Sequence, residues 1–172
     1  MELAVTGPPG SGKTTLCQRL IEALDSDIGG ILTQEVRDDE GKRIGFGVRD
    51  VATGAEGTLA STGRAHGPRV GKYRVHLEDL ERIAIPAIDR ALHEADLIVV
   101  DEVAPMELAS EAFVDVTEQA LAADRPLLVT FKGRQNHPLV RRIRDDCELY
   151  EINVDTREAV FKTLRDRLRN RA

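Results

Sequence analysis

Gly7-Pro8-Pro9-Gly10-Ser11-Gly12-Lys13-Thr14 is the stretch that decides the fold. It matches G-x-x-x-x-G-K-[ST] in full, and such a loop must follow a strand and open a helix. Both neighbours fit. Glu2-Leu3-Ala4-Val5-Thr6 reads as a short strand, and Leu16, Leu20, Ile21 and Leu24 recur at helical spacing behind it. Glycines let the backbone wrap an anion, and successive N–H groups at a helix N-terminus point at it. Pro8 and Pro9 carry no N–H, so the cradle falls to amides from Gly10 onward, with Thr15 closing the stretch. Lys13 is expected on the β- and γ-phosphates, and the Thr14 hydroxyl on the accompanying Mg²⁺. A chance match to this pattern in a chain of ordinary glycine content is on the order of one per cent.

Further along, strand-like runs alternate with helical ones, which predicts an α/β fold with a mostly parallel central sheet flanked by helices. Leu97–Asp101 and Pro126–Phe131 read as buried parallel strands joined by a helix over Ala109–Ala123. Leu80, Ile83, Ala87, Ile88, Ala91 and Leu92 define another helix, which Pro86 should kink or divide. Glu148–Val154 reads as a strand, and Asp155-Thr156-Arg157-Glu158 as a capping box opening the last helix. Around residues 29–76 the rhythm breaks. Ile44, Phe46 and Val48 alternate with Gly45, Gly47 and Arg49, and Thr33–Arg37 can pair with them across Asp38-Asp39-Glu40-Gly41-Lys42. This region is expected to be an antiparallel insertion on the core, within a single domain spanning 1–172.

A second motif supplies the chemistry. Leu97-Ile98-Val99-Val100 is an apolar strand running into Asp101-Glu102, the Walker B pattern. A carboxylate at the C-terminal end of such a strand binds Mg²⁺, partly through water, which suits Asp101. A second carboxylate one residue on can hold and deprotonate an attacking water, the role expected of Glu102 beside Lys13. Alone, two acids at a strand end would as readily be an ordinary loop entry; beside the phosphate loop they form a RecA-like P-loop NTPase site. Glu35 and Arg37 share a strand face with Thr33, and Arg134 and His137 follow a strand whose end should approach the phosphates. These four are accessory candidates, and solvated edge positions would explain Glu35 and Arg37 equally well. An arginine stabilising the transition state is to be sought among Arg37, Arg43, Arg134 and Arg157.

Composition bounds the rest. The chain has 172 residues and 24 Lys+Arg against 30 Asp+Glu, a net charge of −6. The acidic balance gives no strong nucleic-acid signal. Cys17 and Cys147 are too few for a disulfide scaffold and are expected as small buried side chains. No leader segment or membrane span is legible, so a cytoplasmic location is expected. There is no Asn-Lys-x-Asp element for guanine and no Trp, and the 4 Phe and 2 Tyr fall largely in core segments. Broad use of ATP, GTP, CTP and UTP is the expectation, with no protein partner named.

The chain also resembles the THEP-type, or cancer-related, nucleoside-triphosphatases. The stretches that carry the likeness are Gly7–Thr15, Thr33–Arg37, Arg43–Phe46, Arg69–Tyr73, Leu80–Pro86, Val100–Leu108 and His137–Arg144, in family order. The resemblance implies Mg²⁺-dependent hydrolysis of the γ-phosphate with little choice of base. It also implies that Lys13 and Thr14 bind phosphate and metal while Asp101 and Glu102 serve as ligand and base. Ala104-Pro105 departs from the Gly-Lys that many members carry, and Thr156-Arg157 from Asn-Arg. A P-loop small-molecule kinase, or a nucleotide-binding switch with incidental turnover, are the alternatives.

Overall fold

The computed structural model describes residues 1–171. In chain order its elements are β1 (Glu2–Thr6), α1 (Lys13–Ala23), β2 (Ile28–Arg37), β3 (Arg43–Asp50), β4 (Glu56–Ser61), β5 (Arg69–Val70), β6 (Tyr73–Val75) and α2 (Leu77–Glu94). Then follow β7 (Leu97–Val103), a 3₁₀ turn (Glu107–Ala109), α3 (Glu111–Ala122), β8 (Leu127–Phe131), α4 (Pro138–Asp146), β9 (Glu148–Glu151) and α5 (Arg157–Arg169). All nine strands join one sheet in the order β5-β6-β4-β3-β2-β7-β8-β1-β9. The half from β2 to β9 is parallel, and the half from β2 to β5 is antiparallel. The segment around residues 29–76 therefore extends the core sheet at one edge.

Alternation along the central strands explains the layering, because successive side chains leave a sheet on opposite faces. Ala4, Ile98, Val100, Leu127 and Val129 pack with α2, α3 and α4 on one face. Leu3, Val5, Leu97, Val99 and Leu128 pack with α1 and α5 on the other. The parallel strands are apolar on both faces for this reason. Strand β2 serves both halves: Ile28–Ile31 pairs in parallel with β7, and Ile31–Arg37 antiparallel with β3. Gly30 sits at the changeover with φ +109°, and a Cβ there would come within 1.9 Å of the Val99 carbonyl oxygen.

Three local expectations need correction. Pro86 does not divide its helix; α2 runs unbroken for 18 residues with Pro86 inside it. Pro86 and Arg82, whose carbonyl loses its helical partner to the missing N–H, are both exposed residues on the solvent side of the helix. No capping box opens α5. Asn153 does that work, its Oδ1 accepting from the backbone N–H of Asp155 and Thr156 at 2.8 and 3.0 Å. Glu158 instead pairs with Arg19 at 2.8 Å. Helix α3 starts at Glu111, later than expected, because the Ser110 hydroxyl caps it, accepting from Phe113 N–H at 3.1 Å. The two cysteines are buried, and burial pushes the Cys147 thiol up to about 12.

Candidate functional site

The loop Gly7–Gly12 joins β1 to α1 at the C-terminal edge of the parallel strands, where open α/β sheets hold ligands. Gly10 and Gly12 adopt φ +76° and +100°, a region closed to most side chains. Gly7 is required for a different reason, since a Cβ there would lie 2.4 Å from the Ile152 carbonyl oxygen. Ser11 N–H closes a turn onto the Pro8 carbonyl at 3.1 Å, and the helical ladder begins only with Leu16 N–H on Gly12 O at 2.8 Å. The N–H groups of Lys13, Thr14 and Thr15 are thus left at the helix start, the positive end of its dipole. Ser11 Oγ is buried there without a hydrogen-bond partner among the described residues.

Lys13 reaches back across the loop. Its Nζ donates to the Gly7 carbonyl at 2.9 Å and lies 3.9 Å from Glu102 Oε2. Two strands away, β7 delivers Asp101 and Glu102 to the same mouth. Asp101 is fully buried and held from both sides, accepting from Thr130 Oγ1 at 2.6 Å and from Thr33 N–H at 3.4 Å. Burial pushes its carboxyl up, against hydrogen bonds from Thr130, Thr14 and Thr33 that favour the charged form. Burial also raises the Glu102 carboxyl, with the Lys13 cation pulling the other way. Thr14 and Asp101 offer hard oxygens, a donor set that fits Mg²⁺, which takes one or two carboxylates plus substrate phosphates. Among the described residues no group of three His, Cys, Asp or Glu side chains could hold a metal alone, so substrate oxygens would complete the shell.

A cavity of about 620 Å³ joins these residues. The phosphate loop, Lys13, Thr14, Thr15 and Glu102 line one end, with Thr33, Glu35 and Arg43 further in. The other candidates separate clearly. Glu35 lies in the cleft wall between Arg37 and Arg43, at 2.7 and 3.0 Å, and these partners hold its carboxyl below its usual range. Arg37 turns outward, half exposed, and donates to Gly41 O. Neither Arg134 nor His137 lines the cleft; the His137 Nδ1 accepts from Leu139 N–H and caps α4. Arg157 does line it, and its guanidinium would lie 3.4 Å from a Cβ on Gly12. Among the described residues its side chain makes no hydrogen bond or ion pair.

Four contributors had no signal strong enough to single them out. Glu107 is 2% exposed at the cleft wall, with Oε2 unpartnered among the described residues. Burial, and then the Glu102 charge, push its carboxyl well above the usual range. Lys132, just past β8, lends positive charge to Glu102. Phe46 falls on the alternating strand of the sequence pattern and Tyr73 in no assigned element; both line the cleft, and Tyr73 belongs to the core as well. The hint available for Glu107 was its place in Val100–Leu108, one of the stretches that carry the family likeness.

The NTPase family profile matches residues 2–165. Nucleoside-triphosphatase THEP1 of Methanosarcina barkeri is 44% identical over 173 residues, covering 98% of each chain. That of Thermococcus kodakarensis is 42% identical, covering 98% of this chain and 94% of its own. The crystal structure of THEP1 from the hyperthermophile Aquifex aeolicus superposes with a TM-score of 0.89 at 31% identity, covering 98% of this chain and 99% of that one. The solution structure of a human cancer-related nucleoside triphosphatase gives 0.79 at 30% identity, covering 98% and 97%.

Proposed function

The chain belongs to the NTPase family of THEP1-type nucleoside-triphosphatases, and from that premise we propose that it hydrolyses the γ-phosphate of nucleoside triphosphates with Mg²⁺ and little regard for the base. The observation that carries this reading is the meeting of Lys13 and Glu102 at 3.9 Å across the mouth of the phosphate loop. Lys13 Nζ also donates to the Gly7 carbonyl at 2.9 Å, so the cation and the carboxylate share the mouth of the loop.

The loop amides and Lys13 would bind and orient the phosphate chain. Thr14 and Asp101 would hold Mg²⁺, which when bound neutralises charge on the β- and γ-oxygens. Glu102 would hold the attacking water and accept its proton. Its burial favours the protonated form, while Lys13 favours the carboxylate needed for that task. Arg157, which lines the cleft and makes no side-chain hydrogen bond among the described residues, would steady charge on the departing phosphate.

Base tolerance follows from what the site grips. Loop amides and Lys13 meet features common to all triphosphates, and strong selection needs fixed partners that a wrong base would leave unpaired. The test is Glu102→Gln, which keeps the shape but cannot take a proton. Phosphate release should fall about 10²–10⁴-fold, the usual worth of general-base catalysis. Triphosphate affinity should stay within a few-fold. Unchanged turnover would remove Glu102 from this role.

A further inference from the structure

The cleft continues past the phosphates. In the sheet order β3 is separated from the phosphate-loop strand β1 by β8, β7 and β2, and β7 carries Glu102. Phe46 on β3, Leu59 on β4, Val70 on β5 and Tyr73 on β6 therefore line the cleft beyond Glu102. In-line transfer puts the leaving oxygen, and with it the substrate's own base, on the opposite side of the γ-phosphorus from the nucleophile. Whatever fills this far half faces the γ-phosphate from the nucleophile's side.

The far half is built. The Phe46 and Tyr73 rings meet edge to face, centroids 5.3 Å apart and planes at 72°. The Arg43 guanidinium lies 5.3 Å from the Phe46 centroid and donates to the Tyr73 hydroxyl at 3.0 Å. It also pairs with Glu35 at 3.0 Å, which gives the aromatic surface a fixed polar rim with a carboxylate able to accept. Beneath lies Glu107, nine-tenths buried and more, with one oxygen unpartnered among the described residues. Hydrolysis needs room for one water. The cavity of about 620 Å³ takes in the phosphate-loop end as well, and its far end is walled by Phe46, Leu59, Val70 and Tyr73, an apolar and aromatic lining that a single attacking water does not require.

We propose that this half of the cleft seats a second small molecule, a planar heteroaromatic alcohol of the nucleoside class, whose hydroxyl takes the γ-phosphoryl group in place of water. The inference rests on the γ-phosphoryl-transfer reading of the same site. The ring would pack on Phe46 and Tyr73, and its N–H or O–H groups would donate to Glu35. In the step, the acceptor oxygen bonds to the γ-phosphorus and the bond to the β,γ-bridging oxygen breaks. The hydroxyl proton passes to Glu102. A phosphorylated acceptor and a nucleoside diphosphate leave.

The test incubates the enzyme with Mg²⁺ and γ-labelled ATP, alone and with adenosine, guanosine, cytidine or uridine. Label is followed into free phosphate and into nucleoside monophosphate. Saturable labelling of at least one nucleoside is expected. Val70→Trp, which fills the far half, should cut that labelling about tenfold or more, whereas Val70→Ala should retain it. Melting curves establish that each variant is folded, and Pro105→Trp on the facing wall supplies the same block should Val70→Trp fail to fold. Phosphate release without acceptor, combined with no labelled nucleoside, would overturn the proposal and leave hydrolysis standing. Absence of both products would overturn it together with the reading beneath it. Undiminished labelling by a folded Val70→Trp would also contradict it.

Discussion

Lys13 shows how one side chain can be read from sequence and then given a geometry. The motif assigns it to phosphate; the fold adds a hydrogen bond to the Gly7 carbonyl and an approach to Glu102 at 3.9 Å. Lys13→Ala is expected to abolish phosphate release and weaken triphosphate binding while leaving the melting temperature near wild type. Wild-type turnover in that variant would sink the assignment. The arginine could not be chosen from spacing, because four candidates stand at or near the ends of elements: Arg37 ends β2, Arg43 opens β3, Arg134 follows β8 and Arg157 opens α5. Arg157 is the one we propose, because it lines the cleft and its guanidinium would lie 3.4 Å from a Cβ on Gly12. Arg157→Ala should lower kcat about 10²–10³-fold, the cost of removing one charge-stabilising donor, with KM changed less. Glu107 was illegible, because an acid in a short turn reads as a surface group until the turn is seen folded inward. Its raised carboxyl means the fold favours the neutral form, so its contribution to stability is present at acid pH and fades as pH rises through the folded-state pKa. Glu107→Gln, which cannot ionise, should melt higher than wild type at alkaline pH, by about 2–4 °C for each kcal/mol recovered, and alike at acid pH. Parallel melting curves from pH 5 to pH 9 with no divergence, at intervals of about one unit, would refute this account of Glu107.

At the scale of elements, strand and helix existence was legible wherever apolar periodicity ran long, as in α2 and β7. Ends were less so, because caps are chosen by geometry. Asn153 displaced the Asp155–Glu158 capping box by reaching two backbone N–H groups at once, while Arg19 drew Glu158 away. Ser110 was inside a helical pattern but acts as a cap, and its hydroxyl also donates to Glu81 at 2.9 Å. Ser110→Ala should therefore cost about 0.5–2 kcal/mol in chemical denaturation. Gly30 carries more. A side chain there would strike the Val99 carbonyl, which is backbone and cannot move aside without breaking the β2–β7 pairing. That pairing also brings Thr33 N–H to Asp101. Gly30→Ala should lose more stability than Ser110→Ala and reduce phosphate release with it; a variant as stable and active as wild type would contradict the role given to that changeover.

For the whole molecule, the alternation of strands and helices made the parallel half readable, and the glycine-interrupted run from Thr33 to Val48 made its antiparallel neighbour readable. What sequence could not show was that the two halves share one sheet, so that β3–β6 form the far wall of the phosphate cleft. For that reason the pattern around Phe46 marks a strand and nothing in the sequence marks Tyr73 as a cleft residue. No helix among the described residues is long and apolar enough to cross a membrane. The most direct measurement is a time course of phosphate release from ATP, GTP, CTP and UTP, with Mg²⁺ and with chelator, in the absence of any acceptor. Release from all four is predicted, with specificity constants within roughly 10–200-fold of one another and activity lost to the chelator. No release from any of them, release undiminished by chelator, or a preference for one base of about 10⁴-fold or more would contradict the account.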